Sequence, residues 1–386
     1  MKTIVVLGAG IAATPLIRQI MKTTVLTSNE YKMVVVAPNT HFLWPIAMPR
    51  VVVPGQLADD KVLIALEPLF KEYPADRFEF VLGAASALEP ERNSVTVSLN
   101  DGGSRTIPYH TIVVATGSSA KDNMPWKTIN DTQQTKDRLH GLQKEIENAK
   151  TIVVAGGGLT GTETAGELGF EYSKQGRKEV YFIYNDSLPL APPVLESVRK
   201  SSLSELEKLK VKLIPNTTVT SVSTSGRDTI LQLRIKDGTT RSLTAQVYLP
   251  TTGVIPNSSF VPANMLDVDG YIVTTTFLQA KGYSNIFVLG DVGNLEPNKA
   301  ALADYQTVHL IKALPIHLKG GELPEYQLNK KDFAALTIGR SRGTGHMGSF
   351  KLFSFLIYYL KGRFLGTDKA PNIAAGKQTL MTVYEK

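Results

Sequence analysis

Two glycine-rich turns are the residues of this sequence whose types and spacing most directly indicate chemistry. Gly156, Gly158 and Gly161 follow one β-branched segment, and Gly8 and Gly10 follow another. A strand that enters a tight turn and then a helix aims free backbone N–H groups at one point, and glycine lets phosphate oxygens approach them. One such turn is weak support, but two in the same context predict two binding sites for dinucleotide pyrophosphates.

Acidic residues follow the second turn. Glu163 falls in the first turn of the predicted helix, where it either complements the helix dipole or takes part in catalysis beside the bound nucleotide. Asp186 follows the next strand and could accept a hydrogen bond from an adenosine ribose. Its register is one or two residues late, and Arg177 and Lys178 are near in sequence. The choice between NADH and NADPH therefore stays open.

The first turn departs from the usual pattern. Ala13 stands where the third glycine is expected, and Pro15 falls just inside the helix, where proline removes a backbone donor. No Asp or Glu occurs between Glu30 and Asp59, so the acid that would grip a ribose is absent. Asn39 is predicted to replace it in part, with a neutral hydrogen bond that is weaker than a charged one.

The elements around the turns repeat. Each glycine turn follows a β-branched run and precedes a helical pattern. A second β-branched run follows each helical pattern, at residues 33–36 in the first case and 180–184 in the second. The βαβ unit therefore occurs twice. From about residue 325 the composition changes to short, aromatic-rich segments that are connected by glycine-rich stretches. We therefore predict an α/β protein with two Rossmann-like dinucleotide-binding domains, residues 1–125 with 258–324 and residues 126–257, and a small α+β domain at 325–386.

Composition narrows the class of protein. The 386 residues include no cysteine, which excludes disulfides, thiolate metal sites and a dithiol relay; no other metal site is expected. No apolar run approaches the roughly 18 residues needed to span a bilayer, and a strand pattern from residue 3 leaves no room for a leader. The net charge of +7 suits anionic ligands or lipids, and its even spread along the chain disfavours nucleic acid. A cytoplasmic or membrane-peripheral protein is expected.

Further short motifs complete a family pattern. They are Ala115-Thr116-Gly117, the run Ala165-Gly166-Glu167-Leu168, Gly253 with Pro256-Asn257, and Gly290-Asp291. Together with both glycine turns they resemble the apoptosis-inducing-factor-like and ferroptosis-suppressor-like flavin oxidoreductases, relatives of the type II NADH dehydrogenases. The resemblance covers essentially the whole chain, and the closing segment, residues 345–371, is similar to the fungal branch.

The resemblance implies two cofactors. The first turn, with Gly8, Gly10 and Ala13, would bind FAD together with Gly290 and Asp291, and the second turn would bind NADH or NADPH. Hydride would pass from nicotinamide to flavin near Glu163, and electrons then to a quinone or quinone-like small molecule. The remaining residues assigned by resemblance are Asn39, Ala115, Thr116, Gly117 and Gly253 beside the cofactors, Arg50 at a phosphate or as a helix cap, and Trp44, Lys299 and Gln306 near the acceptor.

Several alternatives stay open. Residues 350–364 are aromatic with basic flanks, as in an amphipathic helix that docks on a membrane, but a core helix or a dimer contact fits equally well. Trp44 could be a plain packing residue, and Lys299 and Gln306 could be surface residues. The departures around Ala13 and Asn39 also suit a redox-inactive protein that lost its flavin and binds, cyclises or isomerises a small molecule. A nucleotide-sensing interaction protein is the third hypothesis. The acceptor and the oligomeric state are undetermined.

Overall fold

The β-branched runs that precede the two glycine turns form central strands of two parallel sheets. The computed structural model describes residues 1–329 and 333–385. Strands buried on both faces need continuous apolar sequence. This explains why residues 4–7 and 152–155 are fully apolar and almost completely shielded from solvent.

The strands and helices of the described residues have the following bounds. The strands are β1 (Lys2–Leu7), β2 (Tyr31–Ala37), β3 (His41–Leu43), β4 (Leu63–Ala65), β5 (Phe78–Glu89), β6 (Ser94–Leu99), β7 (Ser104–Pro108), β8 (Thr111–Val114), β9 (Ser118–Ala120), β10 (Thr151–Ala155), β11 (Glu179–Ile183), β12 (Lys212–Ile214), β13 (Thr217–Ser225), β14 (Asp228–Ile235), β15 (Thr240–Ala245), β16 (Val247–Pro250), β17 (Val254–Pro256), β18 (Ile286–Val288), β19 (Phe333–Ile338), β20 (Arg342–Met347) and β21 (Phe350–Leu352). The α-helices are α1 (Ala13–Ile20), α2 (Met48–Val51), α3 (Glu67–Phe70), α4 (Thr132–Asn148), α5 (Leu159–Glu171), α6 (Glu196–Lys208), α7 (Ala300–Leu318), α8 (Ser354–Ile357) and α9 (Ala370–Ala374). Two π-helical turns are Met21–Val25 and Tyr358–Gly362, and single 3-10 turns are Pro45–Ala47, Asp59–Lys61, Pro90–Arg92, Lys121–Asn123, Ser173–Gln175 and Ala263–Met265.

The first unit is a seven-stranded sheet in the order β18-β8-β1-β2-β5-β6-β7. Its strands from β18 to β5 are parallel, whereas β5, β6 and β7 are antiparallel. The strand β18 joins the edge from far along the chain, which makes this unit discontinuous in sequence. The carboxyl ends of β1, β8 and β18 therefore meet at one edge, where open α/β sheets bind their ligands.

The second unit is a parallel sheet in the order β12-β11-β10-β16, with the antiparallel sheet β13-β14-β15 beside it. The strands β9 and β17 pair with each other and connect the two units. Asn257 strengthens this connection, because its side-chain amide donates to Thr116 O at 2.9 Å and its carbonyl accepts from Thr116 Oγ1 at 2.7 Å. The turns after β8 and β16 are thereby held close together.

The C-terminal part consists of the antiparallel sheet β19-β20-β21, two short helices and a π-helical turn. The helix predicted over residues 350–364 is wrong in extent: residues 350–352 pair with β20, and α8 has only four residues before the π-helical turn. Aromatic residues favour a pleated strand where a partner strand is available. The predicted α/β class with two Rossmann-like units is confirmed.

The segment from 366 to 385 returns to the first unit and packs on α1. Thr14 Oγ1 donates to Ile373 O at 2.8 Å, and Gln19 Nε2 donates to Gly376 O at 3.1 Å. Arg18 Nε donates to the Glu385 carboxylate at 2.9 Å. The end of the described chain therefore closes over the helix that follows the first glycine turn. Within residues 1–329 and 333–385, no helix is long and apolar enough to cross a membrane.

Candidate functional site

A large cavity of about 1390 Å³ lies where the two units and the C-terminal part meet. Its floor includes the turns after β1, β8 and β18, and its outer wall includes residues 359–361 and 364–366. Cavities for one small ligand hold about 300–1,000 Å³. This cavity is large enough for more than one ligand, and most of its lining is apolar.

The first glycine turn has the backbone that a pyrophosphate needs. Gly8 has φ of +110°, and a Cβ there would lie 2.3 Å from Ala115 O, so only glycine fits. Gly10 has open space where its Cβ would be, on the side of the cavity. Ala13 begins α1 and is buried, outside the cavity lining. Pro15 lies in the first turn of α1, where proline is tolerated.

Asn39 lines the cavity just after β2, where the sequence lacks an acid. Its Oδ1 is shielded from solvent, and no group among the described residues donates a hydrogen bond to it. A buried acceptor without a donor is rare in folded proteins and is satisfied when a ligand supplies the donor. The site therefore fits the hydroxyl groups of a ribose, with an amide oxygen in place of a carboxylate.

Asp291 lies in the turn after β18 and faces the same cavity. Its Oδ2 accepts from Ser118 Oγ at 3.1 Å and pairs with the ammonium group of Lys127. Lys127 was not predicted from the sequence, because the loop between β9 and α4 carries no motif. Gln306 lies behind the turn rather than in the cavity: its Oε1 accepts from Gly290 N at 2.9 Å and supports the position of Asp291.

The second glycine turn is equally tight. A Cβ on Gly161 would lie 1.9 Å from Gly156 O, and one on Gly156, which has φ of +125°, would lie 2.5 Å from Thr251 Oγ1. Gly158 has open space beside it. The turn lies beside the part of the cavity lined by Leu159 and residues 250–253, which include Gly253.

Asp186 lies outside the cavity, on the loop after β11. Its Oδ1 accepts from Ser187 N at 2.8 Å, and its Oδ2 accepts from Arg199 Nη2 at 2.6 Å. The Ser187 amide, followed by Arg199, lowers the pKa of Asp186 below its usual value. The carboxylate is thus ionised and held in place, and the ribose contact predicted for it stays a prediction.

Glu163 is the buried acid of the site. Its Oε1 accepts from Lys361 Nζ at 2.7 Å, from Thr337 N at 2.8 Å and from Thr337 Oγ1 at 3.2 Å. Lys361 also donates to Ala335 O at 3.1 Å. Glu163 and Lys361 both line the cavity, and the pair joins α5 to the C-terminal part. Neither partner of Glu163 was predicted, because Lys361 is 198 residues away in sequence.

The family of the chain follows from sequence comparison. The pyridine nucleotide-disulphide oxidoreductase family matches residues 2–307, most of the chain. The chain belongs to this family. "Oxidoreductase ptaL" of Pestalotiopsis fici is 36% identical over 381 residues, which cover 97% of this oxidoreductase and 99% of the relative. Ferroptosis suppressor protein 1 of Xenopus tropicalis is 25% identical over 378 residues, with coverages of 95% and 94%.

Two solved structures share the fold of this oxidoreductase. The sulfide:quinone oxidoreductase from Aquifex aeolicus has a TM-score of 0.77 at 14% identity, with 97% of this chain and 92% of that chain covered. NDH2 from Plasmodium falciparum, solved in complex with NADH, has a TM-score of 0.76 at 12% identity, with coverages of 96% and 98%. The predicted family, the enzyme class (an FAD-dependent NAD(P)H oxidoreductase) and the cofactors FAD and NAD(P)H are confirmed.

Arg50 of the oxidoreductase does not lie where a contact with a cofactor phosphate was predicted. Its guanidinium does not reach the cavity, because Nε and Nη2 both donate to Glu167 Oε1, at 2.9 and 2.8 Å. Nη1 donates at 3.2 Å to the carbonyl oxygen of Gly362, the last residue of the π-helical turn. Both members of the pair are buried. The predicted phosphate contact is thus replaced by a buried ion pair between α2 and α5.

Two of the residues predicted near the acceptor, Trp44 and Lys299, line the cavity. Trp44 is 1% exposed, and its Nε1 donates to Leu365 O at 2.8 Å, so the indole packs the wall and fastens the C-terminal part. Lys299 lines the cavity immediately before α7. His41 lines it as well, and burial, aided by Lys136, lowers the pKa of its imidazole, which is therefore neutral at pH 7.

Proposed function

We propose that this oxidoreductase transfers electrons from NAD(P)H through FAD to a quinone or a quinone-like small molecule. The observation that carries the proposal is the Glu163–Lys361 pair in the wall of the cavity, 2.7 Å between Oε1 and Nζ. Net reduction of a quinone by NADH consumes one proton, and this pair provides a proton donor where an acceptor would lie.

We assign the FAD site to the first unit. Gly8, Gly10 and the start of α1 would hold the pyrophosphate, Asn39 Oδ1 the ribose, and Asp291 the chain between phosphate and ring. The open space at Gly10 and the unpartnered Asn39 Oδ1 support this assignment. Bound FAD supplies two-electron chemistry between the nicotinamide and the acceptor. Lys127 neutralises Asp291 and keeps the carboxylate in place.

We assign NAD(P)H to the second glycine turn. Gly158 would face the pyrophosphate, and Asp186 would approach the adenosine ribose. Gly253 and the turn from Ala115 to Gly117 line the cavity and would lie beside the two cofactors. We assign residues 1–125 with 258–324 to an FAD domain, residues 126–257 to an NAD(P)H domain and residues 325–386 to a C-terminal domain.

The acceptor would lie against the C-terminal wall. Trp44, Tyr359 and Phe364 give this wall an apolar, aromatic character that suits a planar ring. The Lys361 ammonium has three N–H donors, and its contacts within the described residues use two. The third would donate to a carbonyl oxygen of the acceptor, and Glu163 fixes the ammonium group in that position. The similar protein from Aquifex aeolicus is named for a quinone; sulfide chemistry through a thiol is excluded here, because the chain has no cysteine.

The visible absorption spectrum of the purified protein tests this proposal. We expect flavin bands that bleach anaerobically with NADH or NADPH and return when 1,4-benzoquinone is added. Gly10→Glu should remove the flavin, and Glu163→Gln should keep it while slowing its reoxidation by benzoquinone. A colourless protein that does not take up FAD would reject the proposal and support the alternative, a redox-inactive protein that binds, cyclises or isomerises a small molecule.

We further propose that the enzyme is cytoplasmic and contacts a membrane through residues 350–364. Phe350, Phe353 and Phe355 are 65–78% exposed, although aromatic side chains of this size are usually buried. Flotation with vesicles of phosphatidylcholine and phosphatidylserine tests this contact. The double variant Phe353→Ser/Phe355→Ser should lose binding, and Phe277→Ser, at an exposed aromatic residue outside this segment, should keep it. Equal flotation of all three proteins would contradict the contact.

A further inference from the structure

A buried ion pair lies behind the Glu163–Lys361 pair. Arg50 is on α2, and its guanidinium donates twice to one oxygen of Glu167, at 2.8 and 2.9 Å, and once to Gly362 O, at 3.2 Å. The side chains of Arg50 and Glu167 are only 8% and 1% exposed. A charged group is retained at such burial only when its partners are well placed. Neither residue lines the cavity, so the pair does not itself contact a ligand.

The two partners of Arg50 belong to the two segments that carry the proton donor and its acid. Glu167 follows Glu163 by four residues on α5, so both carboxylates lie on one face of the helix. Gly362 follows Lys361 directly and ends the π-helical turn. One guanidinium therefore connects the helix of Glu163 to the turn of Lys361.

The π-helical turn explains why such a connection is needed. Its hydrogen bonds span five residues, as in the bond from Arg363 N to Tyr358 O at 2.8 Å. Such turns are rare and depend on their surroundings for stability. The Gly362 carbonyl is satisfied by Arg50, and the turn then presents the Lys361 ammonium to Glu163 Oε1.

The two acids on α5, Glu163 and Glu167, also have different counter-ions. Like-charged residues four apart on a helix repel each other, and burial raises the pKa of Glu167 while Arg50 opposes that rise. Arg340 approaches the other Glu167 oxygen, with Nε at 4.0 Å. With Arg50 as its counter-ion, Glu167 does not compete for the Lys361 ammonium, which stays with Glu163.

We propose that Arg50 is a positioning residue. By binding Glu167 and the Gly362 carbonyl at the same time, it keeps Glu163 and Lys361 paired in the wall of the cavity. The inference rests on the proposed function of that pair. It requires the planar guanidinium, because its Nε and Nη2 bind one acceptor while Nη1 binds another, a fork that the compact ammonium group of a lysine does not reproduce. Retention of positive charge alone is thus insufficient.

Hydrogen exchange and steady-state kinetics of three variants test the proposal. The variants are Arg50→Lys, Arg50→Met and, as the matched control, Arg177→Met, which removes an exposed arginine paired with Glu171 on the same helix. Amide exchange is followed in residues 355–366 and in α1. The Michaelis constants are measured for NADH and for 1,4-benzoquinone.

We expect both Arg50 variants to increase exchange in residues 355–366 at least tenfold and to leave α1 unchanged. The Michaelis constant for benzoquinone should rise about tenfold, with that for NADH within twofold. The control should match the parent protein. An Arg50→Lys variant with parent exchange and kinetics would overturn the proposal, and so would equal loosening of α1, which indicates a general stabilising role.

The test stays decisive under two complications. If Arg50→Met does not fold, Glu167→Gln replaces it, because it keeps the size of the side chain but removes the carboxylate charge that holds the Arg50 guanidinium in place; a local increase in exchange at residues 355–366 is again expected. If the parent protein does not reduce benzoquinone, the proposed function fails. The exchange of residues 355–366 still decides whether Arg50 holds the turn, since that measurement needs no turnover.

Discussion

Asn39 shows how one side chain can replace the acid expected at a ribose site. The amide has the length to reach a hydroxyl group from the end of β2, and its Oδ1 is buried without a donor among the described residues. A neutral acceptor binds a hydroxyl less strongly than a carboxylate does, but it carries no charge whose burial has to be offset. The absence of acids between residues 30 and 59 is therefore compatible with a working FAD site.

We predict that Asn39→Asp binds FAD more tightly than the parent protein. A hydrogen bond to a charged acceptor is stronger by about 1 kcal/mol, which is roughly fivefold in Kd. Fluorescence titration of the apoprotein with FAD measures the change. Asn148→Asp, at the end of α4, introduces the same charge elsewhere and should leave the Kd unchanged. Weaker binding by Asn39→Asp would indicate that Asn39 Oδ1 does not face the ribose.

The helix α5 and the turn before it show the difference between glycines that the fold needs and glycines that a ligand needs. A Cβ on Gly161 would overlap Gly156 O, whereas a Cβ on Gly158 would enter open space beside the turn. Both belong to one sequence pattern, and the sequence alone does not distinguish them.

We predict that Gly161→Ala destabilises the protein and that Gly158→Ala weakens nucleotide binding. The first change overpacks the turn and should cost about 1–3 kcal/mol of unfolding free energy. The second should leave stability nearly unchanged and raise the Kd for NADH, because its methyl group occupies the approach to the backbone. Urea unfolding and NADH titration of both variants separate the effects. This interpretation of the turn would be refuted if Gly158→Ala destabilised the protein and Gly161→Ala only weakened NADH binding.

The sequence predicted the strands and turns because their signals are local. β-branched runs followed by glycine specify β1, β10 and the loops after them. The contacts of Glu163 and Arg50 could not be predicted, because Lys361 and Gly362 come from a distant segment without a motif. The helix over 350–364 was overestimated for a different reason: β21 pairs with β20 across a short turn at Gly348, and the aromatic and basic residues that follow suggested a helix instead of this hairpin. The two sheet units could thus be predicted from local sequence patterns, whereas the contacts between distant segments that form the site could not.

Over the whole molecule, the site depends on a segment that closes back on α1. Arg18 and Lys22 bind the carboxylate of Glu385, and the hydrogen bond from Arg18 lowers the pKa of Glu385 from 4.5 to about 2. A lowered pKa means that the interaction stabilises the folded state fully above pH 4.5 and is lost as the pH falls toward 2. The closure is therefore weakened by acid.

We predict that Glu385→Gln lowers the free energy of unfolding by about 1 kcal/mol at pH 7, a value reduced by partial exposure to solvent. The difference from the parent protein should shrink as the pH falls below 4.5. Urea unfolding between pH 7 and 3 measures it. Glu196→Gln removes an exposed carboxylate paired with Lys200 and should have almost no effect. A difference that does not depend on pH would contradict the ionic contribution of Glu385.

The same closure has a consequence for biosynthesis. Arg18 and Glu385 are 367 residues apart in sequence, and a ribosome that adds about 5–20 residues per second needs roughly 20–70 s to produce the chain between them. During that interval α1 and the first glycine turn have left the ribosome, while Gly366, Lys369 and Leu380 of the cavity wall have not. The nascent chain is open on that side, so the cavity reaches its final shape only after translation has passed the closing segment.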